Sequence, residues 1–287
     1  MLEPLDVSLS DGKIYHAYSL PGYESCELNG VSIVAREGLT GAFVSVLEQH
    51  RTLYEWAREE VQPVALKGRA PVYVASLPSQ PRVDVAVRHS WHGGMLAPLT
   101  GDRFLRPGRA PSELLHSWRL RHYQIPTPEL LSFALYRAGL FSVRVDVATR
   151  YVPHSHDLSV VLRGAAPGID RTEALDAVQV LLIQLAAFGF SHRDLNVKNI
   201  LLYHEPDHLT AAVLDVDVVQ WSSAATPATT MRDNALRLAR SMRKARRQFG
   251  LNISDGDVND FVKRLLSATP PSALPTGSSK ATTSSKR

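Results

Sequence analysis

The sequence predicts an α+β fold of two lobes, the first rich in β-strands and the second mainly helical and short. Three observations carry this expectation. Short aliphatic, β-branched runs punctuated by Gly and Pro fill much of the first half; a long apolar helix and a basic helix dominate the second; and an Asp- and Asn-rich loop follows that first long helix and precedes a strand. The expected organisation is an N-terminal extension over 1–60 packed on the first lobe, the first lobe over 61–150, the second over 151–266, and a disordered tail over 267–287.

Residues 41–58 carry Val44, Val46, Leu47, Leu53 and Trp56 at helical spacing, interrupted at His50 and Arg51. Three β-rich runs follow, Val61 to Leu66, Val72 to Leu77 and Val83 to Val87. Gly68 and Pro71 lie in the first turn, and Pro78 to Pro81 form the second. A helix-like stretch from Pro111 to Tyr123 stops at Pro126 and Pro128, and strands are expected over 131–136 and 141–151. Asp170, with Glu173 three residues on, opens a helix over 171–188, and Gly189 sits where a C-terminal cap glycine belongs. Strands over 199–203 and 211–214, a basic helix over 232–249 and a last helix over 257–266 complete the order. The tail beyond Ser267 is Ser-, Thr-, Pro- and Lys-rich and cannot bury enough apolar surface to offset its ordering entropy.

Bulk properties narrow the class. At 287 residues, 44% hydrophobic and 21% charged, the chain has an ordinary globular composition. The single cysteine, Cys26, excludes an internal disulfide framework and suits a reducing compartment. The first residues show no basic segment followed by an apolar run, so no signal peptide is expected. The most apolar window, 174–190, contains Asp176, Gln179 and Gln184 and reads as a buried helix, not a membrane span. A cytoplasmic protein is expected, unless it docks peripherally on a membrane. The net charge of +4 and pI near 9.2 suit an anionic partner, and no nucleic-acid partner is expected. The histidines show no zinc-ligand spacing.

The segment His192-Arg193-Asp194-Leu195-Asn196-Val197-Lys198-Asn199 fits the H-R-D-x-x-x-x-N catalytic loop of protein kinases, and Leu214-Asp215-Val216-Asp217 stands where the metal-binding Asp-Phe-Gly would follow. Phosphoryl transfer needs positioning and charge neutralisation more than covalent help. Asp194 is the candidate base for an acceptor hydroxyl. Asn199, Asp215 and Asp217 offer the hard oxygens that Mg²⁺ prefers, and Arg193 or Lys198 could add positive charge near the transferred group. Val85-Ala86-Val87-Arg88 occupies the place of the V-A-I-K strand with arginine for lysine. Glu113 on the next helix is the candidate acidic partner, and Gly68 the candidate remnant of a nucleotide-covering loop. These residues predict ATP and Mg²⁺ as cosubstrate and metal, on a protein-kinase-like two-lobed fold.

Arg88-His89, Gly93-Gly94, Glu113, Pro126-Thr127-Pro128, His192 to Leu201 and Asp215-Val216-Asp217 together resemble the bacterial lipopolysaccharide core kinase family, which includes 3-deoxy-D-manno-octulosonic acid (Kdo) kinase. The resemblance spans roughly residues 66 to 249. It implies transfer of phosphate from ATP to a sugar hydroxyl, of Kdo or heptose, in the lipopolysaccharide inner core, with lipopolysaccharide core or a lipid A precursor as partner, at the cytoplasmic face of the inner membrane. It also implies Asp194 as base, Asn199 and Asp215 as metal ligands, and Arg88 with Glu113 as the nucleotide-positioning pair. Two alternatives stand beside it: a small-molecule or Ser/Thr protein kinase of the same fold, and a catalytically weak nucleotide-binding scaffold. The basic helix, with Arg237, Arg240, Arg243, Lys244, Arg246 and Arg247, could rest on anionic headgroups, or could be a solvated face over a buried Leu236, Leu238, Met242 and Phe249 stripe.

Overall fold

The computed structural model describes residues 20–60, 71–91, 102, 104, 109–139 and 142–268. It divides into two units. One runs to Ser155 and takes in Ala212–Val218; the other comprises His156–Ala211 and the chain from Val219. Gly68, Gly93, Gly94 and the expected strand over 61–66 lie outside the described residues.

The first unit is built on one antiparallel sheet. Its strands are β1 (Tyr23–Leu28), β2 (Val31–Arg36), β3 (Tyr73–Leu77), β4 (Val83–His89), β5 (Leu130–Arg137) and β6 (Val143–Arg150), in the spatial order β1-β2-β5-β6-β4-β3. Residues 20–60, expected as an extension packed on this lobe, supply two strands of the sheet itself. The link between β1 and β2 is a two-residue turn, Asn29-Gly30, with φ of 49° and 79° and Leu28 opposite Val31. That is the mirror-image turn whose twist suits a hairpin, and Asn-Gly tolerates its positive φ.

Period-two alternation gives the sheet two apolar faces. Ile33, Ala35, Ala134, Tyr136, Ala148, Val85 and Val87 pack with Phe43, Leu53 and Trp56 on one side. Val34, Phe133, Leu135, Val145 and Val147 pack with Ala110 and Leu114 on the other. The first cluster is covered by helices α1 (Thr40–Gln49) and α2 (Leu53–Glu59), the second by α3 (Ala110–His122). The expected helix over 41–58 is thus two helices. His50 and Arg51 are not absorbed into one helix because Thr52 turns extended and its hydroxyl accepts the Glu55 N–H, starting α2 afresh.

The second unit carries α4 (Leu158–Val161), α5 (Arg171–Ala187), α6 (Pro227–Phe249) and α7 (Asp255–Ser267). Its short strands are β7 (His156–Asp157), β8 (Phe190–His192), β9 (Ile200–His204), β10 (Leu209–Val213), with which the chain passes into the first unit, and β11 (Val219–Trp221). Asp170 caps α5 through the N–H groups of Thr172 and Glu173, whereas the reciprocal capping box lies at Ser254 and Asp257 on α7. On α6, Leu238 and Met242 are buried as expected. Leu236 and Phe249 are instead 43% and 49% exposed, so the buried stripe is narrower than the spacing implies.

Gly189 ends α5 in the left-handed region at φ +73°, and a Cβ there would sit 2.3 Å from the Ser222 carbonyl oxygen. Ser222 N–H in turn donates to the Gly189 carbonyl at 3.1 Å, tying the helix end to the strand after the Asp-Val-Asp turn. Gly189→Ala is expected to cost about 2 kcal/mol or more, from left-handed strain plus the backbone clash, read as a lowered midpoint in urea denaturation. An unchanged midpoint would count against this contact.

Candidate active site

In the second unit the His192–Asn199 segment runs from β8 to β9 as a loop that buries alternate side chains. Leu195, Val197 and Asn199 are 2%, 3% and 7% exposed, while Arg193, Asp194 and Lys198 face solvent. The loop is closed on itself by its own asparagines. Asn196 Nδ2 donates to the Asp194 carbonyl at 3.0 Å, Asn199 Nδ2 donates to the same oxygen at 2.9 Å, and Asn196 Oδ1 accepts the Lys198 N–H at 2.9 Å. The Asn199 amide is thereby oriented with its nitrogen on the loop and its oxygen turned off it.

Helix α6 holds the loop from below. Asn234, fully buried, accepts the His192 N–H at 3.1 Å and donates to the Phe190 carbonyl at 3.0 Å; two turns later Ser241 Oγ accepts the Val197 N–H at 3.1 Å. The Lys198 ammonium lies over the Phe249 ring, 5.1 Å from its centroid, a cation–π contact within the second unit.

In the first unit the expected nucleotide-positioning residues meet. On β4, Val85 and Val87 point into the core beneath α1 and α2, so Arg88 emerges on the opposite face, where α3 lies. Its Nη2 bonds Glu113 Oε2, with the two side chains 31% and 8% exposed. Burial works against the Arg88 charge, but Glu113, with Asp215 and Asp217 nearby, holds its pKa above the ordinary arginine value. Burial likewise pushes Glu113 upward, opposed by Arg88.

The Asp-Val-Asp turn is held by the same helix. Arg109, Glu113 and His116 recur at i, i+4 and i+7 along α3. Arg109 Nη1 lies 3.2 Å from Asp217 Oδ2, and His116 Nδ1 donates to the Val216 carbonyl at 2.9 Å. Burial lowers the His116 pKa, which keeps it a neutral donor there. From the other side Thr127 Oγ1 donates to the Val213 carbonyl at 2.9 Å, and the Val213 N–H to the Pro126 carbonyl at 3.0 Å. So Pro126-Thr127-Pro128 anchors the approach to the turn. Asp215 itself sits at φ 50°, a left-handed conformation that aspartate tolerates better than most residues.

Of the sequence-derived site residues, the structure groups Arg88, Glu113, Asp215 and Asp217 in one charge cluster of the first unit, and Arg193, Asp194, Lys198 and Asn199 in one loop of the second. Gly68 lies outside the described residues. Among the described residues no group of three or more His, Cys, Asp or Glu side chains could hold a metal ion. Mg²⁺ is commonly bound by one or two carboxylates plus substrate phosphates, and Asp215 and Asp217 supply that number of carboxylates. His116, Thr127, Asn234 and Ser241 were not anticipated. A signal existed for Asn234 and Ser241, which are polar residues seven apart on the apolar face of an amphipathic helix.

Beside Arg88, His89 is opposite Asp146 in the β4–β6 register, and its Nδ1 lies 2.6 Å from Asp146 Oδ1 while Nε2 lies 3.2 Å from Asp102 Oδ2. Asp146 is fully buried and also accepts the Tyr54 N–H at 2.9 Å. Arg144 faces Asp102 at 2.6 Å, and the Tyr54 and Trp91 rings flank the imidazole. Although burial opposes the charge, the two carboxylates raise the His89 pKa. A raised folded value means that the imidazolium's contribution is complete below about pH 6.5 and is lost as pH rises through the higher folded pKa. Denaturation at pH 6 and pH 8 should therefore show the wild type losing more stability on going to pH 8 than His89→Gln does; equal changes in the two would exclude His89 as a source of the pH dependence.

The lipopolysaccharide kinase (Kdo/WaaP) family model matches residues 64–264. The chain is 26% identical over 185 residues to the 3-deoxy-D-manno-octulosonic acid kinase of Actinobacillus succinogenes, covering 63% of this chain and 75% of that one. To the enzyme of the same name from Haemophilus influenzae it is 25% identical over 167 residues, covering 56% and 68%. A solved structure described as WaaP in complex with acyl carrier protein aligns with 74% of this chain and 90% of that chain, at 14% identity and a TM-score of 0.41. No helix among the described residues is long and apolar enough to cross a membrane. With the family model spanning both the Arg88–Glu113 strand and helix and the His192–Asn199 loop, the chain belongs to the lipopolysaccharide kinase (Kdo/WaaP) family and is a kinase.

Proposed function

We propose that the protein transfers the γ-phosphoryl group of ATP to a hydroxyl of Kdo in the lipopolysaccharide inner core. The observation that carries this reading is the Arg88–Glu113 pair, 31% and 8% exposed, with Asp215 and Asp217 acting on the same guanidinium, a charge arrangement suited to nucleotide phosphates and their metal. The choice of Kdo over heptose rests on the curated relatives, which are named as Kdo kinases at 25–26% identity.

Each residue has a defined part. Asp194, exposed on a loop fixed by Asn196 and Asn199, accepts the proton of the sugar hydroxyl as its oxygen bonds to the γ-phosphorus; the bond from that phosphorus to the β,γ-bridging oxygen breaks and ADP leaves. Arg88, oriented by Glu113, binds phosphate oxygens of the nucleotide. Asp215 and Asp217 would be the carboxylate ligands for Mg²⁺, and Asn199, by its place in the loop motif, would offer a further hard oxygen; the ion would supply charge neutralisation on the phosphates. Arg193 is left to meet the acceptor's anionic groups, whereas the contact of Lys198 with Phe249 gives it a structural part as well.

Labelled ATP, Mg²⁺ and Kdo–lipid A should yield labelled lipid, and heptosylated acceptor should compete weakly. Label on protein or on an aminoglycoside, with none on lipid at any Mg²⁺ concentration, would sink the proposal. Asp194→Ala should lower turnover by about 10²–10⁴-fold with nucleotide binding spared. Asp215→Asn, which keeps a residue tolerant of φ 50°, should lose Mg²⁺-dependent ATP binding while retaining the fold.

A peripheral membrane contact is supported by α6. Arg240, Lys244 and Arg247 are exposed at i, i+4 and i+7, whereas Arg243 and Arg246 are engaged by Asp255, with Arg246 Nη2 at 2.6 Å. Near an anionic leaflet each free cation contributes about 1 kcal/mol. The protein should co-sediment with anionic but not neutral vesicles, and replacing those three residues by Gln should release it; equal sedimentation with both vesicle types would remove α6 from membrane contact.

A further inference from the structure

A second face of α3 carries Trp118, Arg121 and His122. With Tyr23 of β1, Arg36 of β2 and Glu129, they line an open cavity of about 170 Å³ at the surface of the first unit. One water needs roughly 10–15 Å³ of such space, so the cavity has room for a small molecule.

Its charge is unbalanced. Glu129, 6% exposed, is the one acidic group in the lining. From outside the cavity Arg150 grips Glu129 Oε2 with Nε at 3.2 Å and Nη2 at 2.9 Å, a pairing that by itself cancels the carboxylate. Arg36 Nε stands 3.4 Å from Oε1, and Arg121 Nη2 3.8 Å from Oε2, beyond hydrogen-bonding range. Three guanidiniums thus converge on one carboxylate, and the two that face the cavity are 41% and 46% exposed with donors to spare.

The rest of the lining is aromatic. The Trp118 and His122 rings stack with centroids 5.5 Å apart and an interplanar angle of 13°. The Tyr23 ring lies under the Arg36 guanidinium at 5.7 Å. Burial and then Glu129 push the Tyr23 hydroxyl up to about 12, so it remains a neutral donor to the Leu130 carbonyl at 2.6 Å and adds no negative charge. Guanidinium forks match the oxygens of a phosphate dianion, and aromatic plates suit the face of a ring.

We propose that this cavity is a binding site for a phosphomonoester carried on a sugar-like ring, with Arg36 and Arg121 on the phosphate and the Trp118–His122 plate against the ring. It uses no residue assigned to phosphoryl transfer and stands independently of that assignment.

The test follows the indole N–H resonance of Trp118, identified among four tryptophans by its loss in Trp118→Phe, at constant ionic strength. Glucosamine 6-phosphate should shift it saturably, inorganic phosphate more weakly, and glucosamine with sodium chloride not at all. Arg121→Gln, whose pairing is the loosest and whose fold is therefore spared, should weaken binding about ten- to a hundredfold, the worth of a hydrogen bond to a charged group. Arg36→Gln should act likewise, and Lys263→Gln, at an exposed residue outside the lining, should leave the shift intact. A response only to phosphorylated glucosamine lipid in micelles would support the same site with a lipid-borne phosphate. No shift with any phosphate, or an affinity unchanged in Arg121→Gln, overturns the proposal.

Discussion

The ion pair between Arg88 and Glu113 is the constraint around which the first unit is arranged. A guanidinium and a carboxylate at 31% and 8% side-chain exposure are costly to desolvate, and losing either partner leaves the other buried and unpaired. Three features must agree for the pair to form. Strand β4 must keep the register that sends Val85 and Val87 inward and Arg88 outward; α3 must pack on that outward face through Ala110 and Leu114; and Glu113 must fall on the helix side facing the strand. The same helical rotation presents Arg109 and His116 to Asp217 and Val216. One helix face therefore fixes both the cation and the paired aspartates, so the cluster is built by geometry that a single slip in β4 would undo.

The second unit solves a different problem, holding an exposed carboxylate still without burying it. Asp194 lies at the surface, and its rigidity comes through its backbone: its carbonyl takes two amide donors from Asn196 and Asn199. Leu195 and Val197 anchor the loop by burial, and Asn234 satisfies both the Phe190 carbonyl and the His192 N–H with one amide. A buried side-chain amide that pairs two strand groups at once fixes the start of the loop more tightly than apolar packing, because leaving either group unpaired carries the full desolvation penalty.

Much of this was legible in the sequence because the signals were local. The helix over 171–187 announced itself through Asp170 and Gly189, and β4, β5 and β6 through their composition. The His192–Asn199 loop was read from residue types at fixed spacing. What escaped was set by partners distant in the chain. His116 has no motif and gains its role only when α3 lies on the Val216 carbonyl; Thr127 hides inside a Pro-x-Pro turn until Val213 arrives beside it. Strands β1 and β2 are a different case. Their Leu28-Asn29-Gly30-Val31 junction is a strong hairpin signal, but TyrGluSerCysGluLeu around Cys26 lies at a sheet edge, half-exposed, and lacks the apolar alternation that marks a covered strand.

Arginine in the place of the usual strand lysine is the departure that most invites a non-catalytic reading, and the geometry of the pair bears on it. A lysine ammonium is a point charge that Glu113 would occupy head-on. An arginine meets Glu113 through Nη2 alone, and its planar fork retains further N–H donors at fixed angles. Those donors can serve phosphate oxygens while the glutamate contact persists, so the substitution changes the shape of phosphate recognition without discarding the charge. With Asp215 and Asp217 acting on the same guanidinium, an arginine that stays ionised under burial is better suited to this crowded, net-acidic pocket than a lysine whose charge burial erodes.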